Sequence, residues 1–113
     1  MYKGTLWLDY SDDEEEASYK ADISRFILRD NNVAFDFFGH DNEEGSYSGN
    51  CTAIKQGSKY VGEGVFRYSD GTICKSNVIL LVEKDGNELF VSGQWTDENE
   101  TSPYQLEAEL REV

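Results

Sequence analysis

Apolar residues recur at every second position in eight separate stretches of this chain, and in none does the three-and-four spacing of an amphipathic helix persist for three turns. Alternation of this kind specifies strands with one buried face. The first stretch, residues 2–10, puts Tyr2, Gly4, Leu6, Leu8 and Tyr10 on one side and Lys3, Thr5, Trp7 and Asp9 on the other. Residues 19–28 change phase between Ile23 and Phe26, which predicts a bulge near Ser24-Arg25. Residues 33–39 turn Val33, Phe35 and Phe37 inward. Residues 45–55 and 59–68 follow with Tyr47, Gly49, Cys51 and Ala53, then Tyr60, Gly62, Gly64, Phe66 and Tyr68, on their inner faces. Residues 72–84 are apolar in both phases, through Val78, Leu80 and Val82 and through Ile79 and Leu81, so this strand is expected to be partly covered on both sides. Residues 89–95 and 104–110 complete the set, the last with Tyr104, Leu106, Ala108 and Leu110 inside.

The connections are short and polar, and Asp70-Gly71 and Asp85-Gly86-Asn87 are strong turn sequences. Short links between consecutive strands favour an all-β, eight-stranded antiparallel up-and-down meander barrel over a Greek key, which needs long crossovers. Closure also removes the exposed edges of an open sheet. At 113 residues the chain makes a single β-barrel domain. Pro103, its one proline, precedes the last strand and leaves the others free to pair.

Parity then sorts the charge. In a meander the connections 1–2, 3–4, 5–6 and 7–8 emerge at one end, and those segments (residues 11–17, 39–45, 69–71 and 96–102) carry twelve of the 23 carboxylates and no Lys or Arg. The other connections carry Arg29, Lys55, Lys59 and Lys84 against Asp30 and Asp85. The expected molecule is strongly dipolar. Like charges held close together weaken a compact fold, so a concentrated anionic end points to a cationic partner, although solvated acidic loops that keep a barrel soluble are the plainer alternative.

The net charge of −13 argues against direct binding to nucleic acid or to anionic lipid, both of which need positive potential. No apolar run approaches the roughly 18–20 residues of a membrane span. The N-terminal residues enter a strand pattern without an apolar leader, so a cytoplasmic location is expected. Catalysis has little support: His40 is the one histidine, and neither a nucleophile elbow, a HExxH motif nor a phosphate-cradling glycine loop is present. The acidic loops lack EF-hand spacing. Cys51 and Cys74 match no four-ligand zinc site and read as buried thiols, with a disulfide as the competing reading. We therefore expect a non-enzymatic protein with no cofactor and no metal.

The partner-binding residues expected on these grounds are Asp12, Asp13, Glu14, Glu15 and Glu16 in the first acidic segment, Asp41, Glu43 and Glu44 in the second, and Asp97, Glu98 and Glu100 in the last, with Tyr10 and Trp95 as aromatic anchors beside them. The expected partner is a basic protein such as a nuclease toxin or a nucleic-acid-handling complex, and the expected role that of an immunity protein or phage-type inhibitor occluding its basic site. Two resemblances accompany this reading. Strand count and order over the whole chain, with Gly4-Thr5-Leu6-Trp7, resemble the calycin-type barrels (lipocalin and avidin folds) and their Gly-x-Trp signature. That resemblance implies an alternative function, a carrier with an apolar ligand inside the barrel, where inward Tyr47, Gly49, Cys51, Gly62, Gly64 and Gly93 leave room unless side chains fill it. Tyr47-Ser48-Gly49 followed by Gly62-Glu63-Gly64-Val65-Phe66-Arg67-Tyr68-Ser69-Asp70-Gly71 resembles a single MORN repeat unit.

Overall fold

In the computed structural model, which describes every residue except Asp13 and Glu44, the alternating segments pair in sequence order into a closed barrel. The strands are β1 (Tyr2–Ser11), β2 (Glu16–Leu28), β3 (Asn32–Asp41), β4 (Gly45–Gln56), β5 (Lys59–Tyr68), β6 (Ile73–Asp85), β7 (Glu88–Asp97) and β8 (Tyr104–Glu112). Each is antiparallel to the next, and β8 returns to β1 with Leu6 opposite Ala108 and Leu8 opposite Leu106. The expected up-and-down topology is the observed one. Strand ends run a residue or more beyond the alternating stretches in most strands, because backbone pairing continues after side-chain alternation stops.

The bulge falls where the phase changes. Pairing of β2 with β3 slips between Ile23 and Arg25, and pairing with β1 slips over the same residues. Both Ile23 and Phe26 therefore face the core while Ser24 and Arg25 stay outside. On β6 the expectation of two covered faces fails: Ile79 and Leu81 are 39% and 44% exposed on the outer wall. A barrel closed on itself covers one face of each strand and nothing lies against the other. The segment from Tyr47 to Gly71 is built into the wall through β4, β5 and the connection after them.

The interior is filled by rings. Phe26 stacks on Phe35 at 5.3 Å, Phe35 reaches Phe37 at 6.1 Å, and Phe37 meets Phe66 at 5.4 Å and Trp95 at 5.7 Å. Gly49 and Gly64 make space for this column: a Cβ on Gly64 would clash with the Trp95 ring and one on Gly49 with Phe37, whereas Gly62 and Gly93 lie against the backbone of neighbouring strands. Rings of this size supply most of the apolar area that stabilises a small domain. Both cysteines are thiols, Cys51 buried and Cys74 half-buried.

The two ends are closed differently. At the end that carries Arg29, Lys55, Lys59 and Lys84, two hairpins turn through Gly57-Ser58 and Gly86-Asn87, with Gly57 at φ 65° and Gly86 at φ 60°. Glycine in the first of two central positions with positive φ matches the twist of the flanking strands. At the acidic end the connections are longer, spanning residues 12–15, 42–44, 69–72 and 98–103.

Candidate functional site

The acidic segments share one end of the barrel because β1/β2, β3/β4, β5/β6 and β7/β8 all turn there. Their first acids organise the loops. Asp12 Oδ1 accepts the amides of Glu14 and Glu15 at 2.8 and 2.6 Å, and its Oδ2 accepts the Tyr10 hydroxyl at 2.6 Å. Asp41 Oδ1 accepts the Glu43 amide at 2.7 Å, and Asp70 Oδ1 accepts the Thr72 amide at 2.8 Å. Carboxylates that cap backbone N–H groups in this way hold a turn without any large buried area. Asp97 accepts the buried Ser76 hydroxyl at 2.8 Å, while the Glu98 amide donates to the Lys75 carbonyl at 2.9 Å and ties the last loop to β6. The Ser69 amide donates to the Ser46 carbonyl at 3.0 Å, tying the third connection to the start of β4.

The electrostatics follow from these contacts. The Tyr10 hydroxyl, then the amides of Glu14 and Glu15, hold the Asp12 carboxyl below its ordinary value. The same hydrogen bond pushes Tyr10 up, helped by a little burial and by the charges of Asp12 and Glu100. Asp70 is lowered by the Thr72 amide and hydroxyl. Tyr47 is raised chiefly by burial and then by the charges of Asp41 and Asp22. Charges from the first and last acidic loops thus act together on Tyr10.

The expected residues divide by environment. Glu14, Glu15, Glu16, Glu43, Glu98 and Glu100 are exposed, whereas Asp41 and Asp97 are half-buried. Asp12 is exposed but engaged within its own loop. Asp13 and Glu44 lie outside the described residues. Tyr10 is half-buried at the acidic end, its ring 5.3 Å from Tyr104. Trp95, expected as a surface anchor, is only 1% exposed and belongs to the core. Its position one residue before the loop suggested an anchor, but its inward parity and the space at Gly64 take the ring into the barrel.

Three tyrosines that the alternation turns inward were not among the expected site residues. Tyr19, Tyr68 and Tyr104 stand near the acidic ends of their strands, are half-buried, and continue the aromatic column: Tyr19 lies 5.5 Å from Phe66, Tyr68 lies 5.1 Å from Phe66, and Tyr19 lies 6.0 Å from Tyr104. Strand parity was enough to find them, since Tyr10, Tyr19, Tyr47, Tyr68 and Tyr104 are all inward residues close to an acidic connection. Together with Leu8, Phe66, Cys74, Trp95 and Asp97, Tyr19, Tyr68 and Tyr104 line a dent in the mouth of the barrel of about 10 Å³. A volume this small holds about one water molecule. Among the described residues, no group of three or more His, Cys, Asp or Glu is arranged to hold a metal ion.

No protein-family profile matches the chain, and no curated protein sequence does. Among solved structures it is similar to a redesigned β-barrel, with 12% identity and a TM-score of 0.58 over 99% of this chain and 89% of that one. It is also similar to the ywiB protein from Bacillus subtilis, with 8% identity and a TM-score of 0.50 over 99% of this chain and 91% of the other. At these identities the likeness concerns the fold: the chain is an eight-stranded antiparallel β-barrel.

Proposed function

We propose that the protein is a non-enzymatic binding protein whose acidic end covers the basic site of a partner protein, in the manner of an immunity protein or a phage-type inhibitor of a nuclease or nucleic-acid-binding complex. The observation that carries this reading is the placement of twelve carboxylates, with no Lys or Arg among them, in the connections at one end of a closed barrel and the strand ends beside them. The exposed Glu14, Glu15, Glu43, Glu98 and Glu100 offer the partner a surface of negative charge in place of phosphates. Long-range attraction speeds encounter, and a few desolvated contacts set the dissociation rate.

The alternative of an apolar-ligand carrier, with kinship to calycin-type barrels, has less support, because the ring column occupies the interior that such a ligand needs. Passing lysate of the native host over the immobilised protein at low and high salt, with identification of what is retained, tests the proposal. Recovery of a basic nucleic-acid-handling protein whose retention weakens with salt is the expected outcome. Native mass spectrometry that finds a small apolar molecule bound, with no protein captured at either salt, would replace it with the carrier.

A further inference from the structure

The acidic end has an aromatic centre as well as an acidic rim. Tyr19, Tyr68 and Tyr104 stand half-buried around the dent in the barrel mouth, above the buried Phe66 and Trp95, and the Asp97 carboxylate forms part of its wall. The dent is too small to enclose a whole ligand. Its chemistry nevertheless favours one kind of group. The face of a tyrosine ring attracts a cation within about 6 Å, and a guanidinium is the cation best suited to lie flat on such a ring, being planar, weakly hydrated and always charged. A carboxylate has about four lone-pair sites, so Asp97 retains accepting capacity beyond its bond from Ser76.

We propose that the tyrosine-lined mouth is the seat for an arginine side chain of the partner, its guanidinium set among the Tyr19, Tyr68 and Tyr104 rings and hydrogen-bonded to Asp97. The inference rests on the acidic end being the partner-binding face, and names the group that the face recognises. The loop glutamates then steer the partner, while the mouth supplies the desolvated contact. Arginine and tyrosine are both enriched at such energetic centres of interfaces.

The test uses the intact protein and a defined probe, N-acetyl-arginine methylamide, with the uncharged isostere N-acetyl-citrulline methylamide as control, both at fixed physiological salt. Ring resonances of Tyr19, Tyr68 and Tyr104 and the Asp97 amide are followed by NMR, and the labelling rate of Cys74, which lines the same dent, by a thiol reagent. The expected result is a saturable shift of these signals and a several-fold slowing of Cys74 labelling by the arginine probe alone. Tyr68→Leu and Tyr104→Leu should each weaken the effect several-fold, but the wild-type titration decides the matter even where a variant folds poorly. Shifts confined to the amides of Glu14, Glu15, Glu43, Glu98 and Glu100 would overturn the arginine seat and leave the acidic end as a diffuse electrostatic surface. Equal shifts with citrulline, or none with either probe, would also overturn it, while the lysate experiment judges the acidic end independently.

Discussion

The two ends of this barrel are made from the same eight strands and solve opposite problems. At one end, two-residue turns through Gly57-Ser58 and Gly86-Asn87 close hairpins tightly, and Phe26, Val33, Leu89 and Leu110 seal the interior. Arg29, Lys55, Lys59 and Lys84, with Asp30 and Asp85, sit in its connections and the strand ends beside them. At the other, the connections and the strand ends beside them carry twelve carboxylates, and the inward Tyr10, Tyr19, Tyr68 and Tyr104 are only half-buried, whereas Tyr2 and Tyr60 at the first end are buried. A ten-residue strand extends about 33 Å, several times the Debye length of about 8 Å at physiological salt. The ends therefore act as separate charged surfaces. One end is closed by tight turns, and the other bears exposed glutamates beyond the aspartates that cap its loops.

The comparison is broken or sharpened by variants placed on either side of it. The largest effect on stability is expected from neither end but from the column between them: Trp95→Ala should destabilise by about 3–5 kcal/mol in denaturant unfolding. A small loss would return Trp95 to the surface of the acidic end. Next, the triple variant Glu14→Lys, Glu15→Lys, Glu98→Lys should weaken binding to a basic partner by about 100-fold or more, equivalent to about 2.7 kcal/mol. The same variant should melt at a higher temperature than wild type at low salt, and the gain should fade at high salt because screening already relieves the repulsion. Gly86→Ala, at the opposite end, should destabilise by about 1 kcal/mol through its positive φ and leave partner affinity unchanged.

The smallest effects concern titration. Asp12 has a folded-state pKa below its ordinary 3.8, so its contribution to loop stability is present above that value and is lost as pH falls through the lowered one. The amide resonances of Glu14 and Glu15 should follow this acid transition, survive in Asp12→Asn, which keeps an acceptor oxygen, and change in Asp12→Ala. Burial pushes the Cys51 thiol from 9.0 up to about 12. A thiol reagent near neutral pH should accordingly modify Cys74 quickly and reach Cys51 only on unfolding, measured as one rapid equivalent followed by a second in denaturant.

Much of this was legible from alternation alone. The strand order, the closed meander, the bulge at Ser24 and the inward set around Phe35, Phe37 and Phe66 all follow from period-two spacing, since one covered face is what a closed barrel gives every strand. The same spacing failed where sequence hydrophobicity and burial part company. Ile79 and Leu81 are apolar but face outward, because the barrel has no second layer to cover them. Trp95 shows the converse: nearness to a loop suggested exposure, yet the missing side chain at Gly64, two strands away, draws its ring inside. The acidic loops were visible as composition. Which acids bend their own loops and which face solvent was not, because Asp12 and Asp41 are distinguished from Glu14 and Glu43 only by the amides that the turn brings to them.

The central claim is that binding belongs to the acidic end and not to net charge in general. Its most direct test compares two triple variants, each changing the net charge from −13 to −7: Glu14→Lys, Glu15→Lys, Glu98→Lys at that end, and Asp36→Lys, Glu63→Lys, Glu107→Lys on the outer walls. Capture of the host partner by each is then measured beside wild type at low and high salt. Loss of capture by the first variant with retention by the second is the predicted result. Equal capture by both, or equal loss, would contradict it.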